Sequence, residues 1–141
     1  MKKIALLITV FVLIICFAAC DIDHKGEIFT LVEENYDTIV TACQNRDKDA
    51  LLAIDGISAV TFDAGYVIVY CHGAGIASSS QDYGFYYAEN NIPVGIDCSL
   101  SIICYRDTMV PKGNGYEGTV DHNTFYTEQI KGNIYFYSNA Y

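Results

Sequence analysis

A change of hydrophobic period near Ser58 constrains the fold of this chain more than any other feature. Between residues 28 and 43 apolar side chains recur at helical spacing, whereas from Ser58 onward β-branched and aromatic residues alternate with Gly- and Asn-containing turns. Eleven of the 12 Tyr lie in that second part, from Tyr66 to Tyr141. This order predicts an α+β fold, in which an N-terminal amphipathic helix and a short second helix pack on a mainly antiparallel sheet.

The helical part divides into two predicted helices. Apolar residues from Ile28 to Cys43 share one face and acidic residues such as Glu33 occupy the other, which predicts one long amphipathic helix. Asp47 is expected to cap the short second helix, and Gly56 is expected to end it with a positive φ.

Seven strands are predicted after the change of hydrophobic period, at residues 58–63, 66–72, 83–88, 101–106, 114–120, 124–130 and 134–140. Short Gly-containing connections at 63–65 and 131–133 join neighbouring strands as hairpins, which makes the sheet largely antiparallel. In the last strand, alternation separates Ile134 and Phe136 from Tyr135 and Tyr137. We expect Phe136 in the core and the two Tyr facing outward, because Tyr hydroxyls can remain in water.

The first twenty residues resemble the signal of a bacterial lipoprotein. Lys2 and Lys3 precede a long apolar run, as in exported chains. The run ends on FAAC (17–20), which resembles the lipobox motif whose Cys receives a fatty-acylated diacylglyceryl group before cleavage. The sequence therefore predicts a signal peptide at 1–19 and lipidation at Cys20.

The remaining chain is predicted to form a lipidated tether at 20–26 and a single domain at 27–141. Lipidation would hold this domain at the extracytoplasmic face of the cell membrane. An uncleaved membrane anchor is the alternative, since the apolar run approaches the length that spans hydrocarbon. Both interpretations place the domain outside the cytoplasm.

The chain is acidic, with 17 Asp and Glu against 8 Lys and Arg and a formal net charge of −9. Loss of Lys2 and Lys3 with the signal makes the charge more negative by two. Such a surface repels nucleic acid and favours a cationic protein partner, although acidity can also serve solubility alone.

The cysteines and histidines show no recognisable catalytic or metal-binding spacing. Cys71 and His72 are adjacent, so strand alternation places them on opposite faces and predicts no dyad. The three His, at positions 24, 72 and 122, lack zinc-site spacing, and we predict neither a metal nor a cofactor. Four cysteines remain after the predicted anchor: Cys43, Cys71, Cys98 and Cys104. They allow three complete disulfide pairings, and the sequence does not choose among them.

Several segments resemble a family of small clostridial Firmicutes proteins without an assigned activity, some of which begin with lipoprotein signals. The shared patterns are CHGAG (71–75), YGFYY (83–87), GNGY (113–116), YTEQI (126–130) and YFY (135–137). This chain differs from the family in His72, in Ile134 and in its Cys-containing stretch at 98–104. The resemblance implies a fold unit over residues 66–141 and implies no mechanism.

Aromatic strands are the main candidate binding feature. Exposed Tyr rings suit stacking on sugars or anchoring of a protein, and the candidates are Tyr83, Tyr87, Tyr135 and Tyr137. We therefore predict a non-catalytic envelope lipoprotein that binds a glycan or protein. One alternative is an acidic inhibitor or immunity-type lipoprotein that blocks a cationic enzyme or toxin. A second alternative is a hydrolase that uses Cys71 or the pair Asp121 and His122.

Overall fold

Three helices form one layer of the molecule, and a computed structural model describes the chain over residues 23–74 and 80–140. The helices are α1 (His24–Glu34), α2 (Tyr36–Asn45) and α3 (Lys48–Leu52). Asp23 caps α1 by accepting a hydrogen bond from the Gly26 amide. None of the helices within the described ranges is long and apolar enough to cross a membrane. The predicted signal peptide and Cys20 lie outside the described residues.

Asn35 divides the single long helix of the sequence prediction into α1 and α2. Its φ of −114° and ψ of 17° depart from helical values, and its side-chain amide donates to the Leu31 carbonyl. Short polar side chains compete in this way with regular helical bonding. Helix α1 begins at His24, within the segment 20–26 that the sequence analysis assigned to the tether.

The turn from α3 into the sheet follows the prediction in part. Asp47 accepts a hydrogen bond from the Ala50 amide, as expected of its N-cap position. Gly56 has the expected positive φ, 90°. It lies beyond the C-cap residue Ala53, however, so it turns the chain toward the sheet rather than ending the helix itself.

The strands form a seven-stranded antiparallel sheet and a separate two-stranded hairpin. The sheet has the order β1-β2-β3-β9-β8-β7-β6, and the hairpin is β4-β5. The strands are β1 (Ala59–Asp63), β2 (Tyr66–Ala74), β3 (Gln81–Ala88), β4 (Val94–Ile96), β5 (Ile102–Tyr105), β6 (Val110–Lys112), β7 (Gly115–Val120), β8 (Asn123–Lys131) and β9 (Ile134–Ala140). The predicted α+β class is confirmed, while β4 and β6 were not predicted.

One sheet face packs against the helices and forms the helix-side core. Phe136 is 2% exposed in this core, and its ring lies 6.1 Å from the Phe29 ring of α1. The prediction that Phe136 is buried is therefore confirmed. Other members of the cluster come from all three helices and from the central strands, including Ile28, Val32, Ile39, Leu51, Val67, Val69 and Phe85.

The opposite sheet face is also covered, by the β4-β5 hairpin, and forms the hairpin-side core. Tyr135 is 6% exposed and Tyr137 is 0% exposed in this second core. The prediction that they face outward was wrong, because the sequence argument assumed that one sheet face remains open to water. Val94 and Ile96 of β4 pack here against Tyr86.

Candidate functional site

An open acidic groove runs along α1, opposite the connection between α3 and β1. Its volume is about 780 Å³, and its described lining includes no Lys or Arg. The carboxylates that line it are those of Asp23, Glu27, Glu34 and Asp55. Like charges on one concave surface raise the local concentration of cations, so the groove suits a positively charged ligand.

A partly buried ion pair fixes the first turn of α1 on the sheet. The Lys25 ammonium lies 2.5 Å from Glu128 Oε2 in β8, and the Glu128 side chain is 8% exposed. Burial acts to raise the pKa of Glu128, but hydrogen bonds from Lys25 and Tyr126 outweigh it, and the pKa is lowered. The carboxylate therefore stays charged and holds α1 in position.

A β-bulge at Cys71 re-aims His72 toward the same turn of α1. Tyr70 pairs with Gly84 and His72 pairs with Tyr83, so Cys71 is an extra residue on β2. Cys71 lies in the helix-side core, and the His72 side chain contacts α1. The alternation rule thus failed at this pair, because the bulge resets it.

His72 meets His24 and Glu27 beside the groove, whose lining includes Glu27. The two imidazole rings stack with centroids 5.0 Å apart, and Tyr83 flanks the His24 ring at 4.9 Å. Glu27 Oε2 lies 3.4 Å from His24 Nδ1 and 3.7 Å from His72 Nε2. The fold therefore brings together two His and one carboxylate, a cluster that the sequence analysis missed.

The four Tyr proposed as a binding surface do not share one surface. Tyr83 and Tyr87 lie on the helix-facing side of β3, where Tyr83 is partly exposed and Tyr87 is 7% exposed. Tyr135 and Tyr137 lie on the opposite side, within the hairpin-side core. An exposed aromatic platform built from these four side chains does not form, because both faces of the sheet are covered.

Tyr135 instead reaches the edge of a smaller polar pocket of about 300 Å³. Its hydroxyl donates to Asn91 Oδ1 at 2.7 Å, and Arg106 stacks over the Tyr116 ring at 5.1 Å. The remaining described lining is rich in side-chain amides and includes Asn114 and Gln129. These groups offer donors and acceptors suited to a hydroxyl-rich ligand.

The described residues proposed for hydrolysis do not form an activated site. Burial raises the pKa of the Cys71 thiol to about 12 and does the same for Cys43. A thiol with such a pKa is protonated at neutral pH and is a weak nucleophile. Asp121 and His122 are exposed and both have positive φ, as in a tight hairpin turn between β7 and β8.

Comparison with known proteins supplies no assignment: no family model matches the chain, and neither curated proteins nor solved structures show a significant similarity to it. The resemblance to clostridial Firmicutes proteins stays a prediction.

A sequence signal for the cluster did exist in α1. His24 and Glu27 are three residues apart, which places two side chains on one face of a helix. The third member is distant in sequence, and its orientation depends on the bulge at Cys71. Spacing alone therefore identifies two of the three residues and leaves His72 unassigned.

Proposed function

We propose that this chain is a non-catalytic binding protein, held at the outer face of the cell membrane by lipid on Cys20, whose acidic groove binds a cationic segment of a protein partner. The observation that carries the proposal is the groove itself. Its described lining has four carboxylates and no Lys or Arg; of the four, Glu27 is approached by His24 and His72 from outside the lining. Among the candidate surfaces, this one combines concavity with strong charge.

The charge of the whole chain supports the same class of partner. A formal net charge of −9 attracts a cationic protein at long range, and the groove concentrates that attraction locally. An inhibitor or immunity-type protein that blocks a cationic enzyme or toxin fits both features. Removal of the signal would make the attraction stronger, because it removes Lys2 and Lys3.

The position of the groove relative to the anchor supports a role at the membrane surface. Asp23 lines the groove and follows Cys20 by three residues. Three extended residues span no more than about 11 Å. A lipid on Cys20 would therefore hold the groove close to the headgroups, where a partner approaching the membrane meets it.

The binding proposal is tested with the full chain in detergent and a fluorescent peptide of eight arginines. The double variant Glu34→Gln/Asp55→Asn is expected to weaken binding about tenfold, a loss of about 1.4 kcal/mol. The association rate of the unaltered chain is expected to fall as salt rises. Fluorescence anisotropy and stopped-flow mixing measure the two quantities.

A matched control separates the groove from net charge. Glu89→Gln/Asp107→Asn removes the same charge from exposed positions outside the groove. It is expected to change affinity less than about twofold, since exposed surface charges, including that of Glu89 at 3.8 Å from Arg46, contribute little. Equal losses in the two double variants would contradict the assignment of the groove. An association rate independent of salt would contradict a cationic partner.

A glycan is the second candidate ligand, favoured by the amide-lined pocket at Tyr135. Soluble peptidoglycan fragments can be added to the same assay. Fragments that bind without displacing the arginine peptide would assign the glycan to a separate site. Fragments that bind when the arginine peptide does not would favour a glycan-binding function over the acidic groove.

The anchoring proposal has its own test at Cys20. Cys20→Ala is expected to abolish incorporation of labelled fatty acid, because the thiol that receives the lipid is gone. Metabolic labelling and membrane fractionation measure the result. Cys98→Ala, which removes an exposed Cys of the described domain, is the control and keeps the label. Unchanged labelling of Cys20→Ala would place the anchor elsewhere.

A further inference from the structure

We propose that His24, Glu27 and His72 form a binding site for one divalent cation of the zinc class, joining the first turn of α1 to the bulge in β2. The inference goes beyond the binding of a cationic partner. It depends on the arrangement of three side chains, two of which lie outside the lining of the acidic groove.

The ligand atoms have the spacing that such an ion requires. Zinc binds His nitrogen and carboxylate oxygen at about 2.0–2.2 Å in a tetrahedron, which separates neighbouring ligand atoms by about 3.4 Å. Glu27 Oε2 lies 3.4 Å from His24 Nδ1 and 3.7 Å from His72 Nε2. All three ligand atoms lie within 4.8 Å of one another, so modest side-chain rotations complete the geometry.

The His24 nitrogen gives a second observation. Its Nδ1 is buried and makes no hydrogen bond within the described residues. A buried polar atom without such a bond is unfavourable, and a metal ion would satisfy it. The Tyr83 and His72 rings, at 4.9 Å and 5.0 Å from the His24 ring, restrict where this imidazole can turn.

The local backbone builds the site from two rigid elements. His24 and Glu27 share one face of α1, whose start is fixed by the Asp23 cap and by the pair of Lys25 with Glu128. His72 follows the extra residue of a bulge, a feature that re-aims side chains next to functional sites. Two His and one Glu with a position open to water are an established zinc ligand set.

The site is tested with the untagged full chain in detergent, stripped by a chelator and titrated with Co²⁺ and then with competing Zn²⁺. We expect one equivalent to bind, with visible absorption of a nitrogen- and oxygen-ligated ion, and Zn²⁺ to raise the melting temperature. Loss of a residue that only hydrogen-bonds to a metal ligand typically weakens metal binding by about 10–100-fold. Loss of a ligand itself should cost at least as much, so His24→Ala and His72→Ala are each expected to weaken binding about 100-fold.

His122→Ala is the matched control, because His122 is exposed and lies outside the cluster, and it is expected to bind as the unaltered chain does. Glu34→Gln/Asp55→Asn is also expected to keep the metal, which separates this test from that of the groove. Circular dichroism verifies that each variant is folded, and if His72→Ala does not fold, His24→Ala carries the test. Unchanged affinity in a folded His24→Ala or His72→Ala variant, or a sulfur-to-cobalt charge-transfer band, would overturn the proposal.

Discussion

Replacing Phe136 with alanine is expected to lower the free energy of unfolding by about 3–5 kcal/mol, the usual range for removal of a buried Phe. Phe136 is 2% exposed, and its ring lies 6.1 Å from Phe29 of α1 and 6.4 Å from Tyr126 of β8. The cavity would open between the helices and the sheet, since the side chain joins both layers. A loss of this size is a large part of the total stability of a small domain.

Urea denaturation followed by circular dichroism measures this loss. Tyr105→Ala is the control, because Tyr105 is 56% exposed and is expected to change stability by less than about 0.5 kcal/mol. A Phe136→Ala variant as stable as the unaltered chain would mean that the helices do not cover this face of the sheet.

Side-chain alternation was predictable from the sequence because hairpin connections fix strand register. Phe136 and Ile134 were assigned to one face of β9, and both are buried on the helix side. Phe85 and Tyr86, adjacent in β3, likewise lie in different cores. Register follows from local turns and from a period of two, and both are visible in a single chain.

The β4-β5 hairpin that covers the other face of the sheet could not be predicted in the same way. β4 has three residues, and β6 is equally short, so neither presents a period long enough to recognise. Val94 and Ile96 bury Tyr135 and Tyr137 only after the β4-β5 hairpin folds over the sheet. Whether a sheet face is open is a tertiary property, and the aromatic binding surface depended on it.

The cluster of His24, Glu27 and His72 was missed because it depends on the bulge at Cys71, which brings residues distant in sequence together. Regular alternation would turn His72 away from Cys71, whereas the bulge brings His72 against His24. Burial of Cys71 also decides its chemistry, since desolvation raises the pKa of its thiol to about 12. Neither result follows from the spacing of residues along the chain.

Tyr86 is the second position where substitution is expected to have a large effect. Tyr86→Ala should cost about 3–5 kcal/mol, because a fully buried aromatic ring is lost from the hairpin-side core. The ring stacks on Tyr135 with centroids 5.3 Å apart and an interplanar angle of 8°. Its removal would therefore loosen β9 as well as the hairpin.

The Tyr86 hydroxyl adds a polar connection through the core. It accepts from the Val94 amide at 3.0 Å and lies 2.7 Å from Thr127 Oγ1. The hydroxyl also lies 3.3 Å from the Val94 carbonyl, to which it can donate, and Thr127 Oγ1 can donate to the Phe136 carbonyl at 3.0 Å. Burial raises the pKa of Tyr86, which keeps its hydroxyl protonated.

Tyr86→Phe separates the hydroxyl from the ring. It keeps the aromatic packing but leaves the Val94 amide without its buried acceptor, and we expect a cost of about 1–3 kcal/mol. Thr127→Val removes the hydrogen-bond partner of the Tyr86 hydroxyl. Because the two groups share one hydrogen bond, the double variant is expected to lose less stability than the two single variants added together. Denaturation midpoints of the three variants measure this coupling, and hydrogen exchange at the Val94 amide should accelerate in Tyr86→Phe. Strictly additive losses with unchanged exchange would mean that packing alone holds β4 on the sheet.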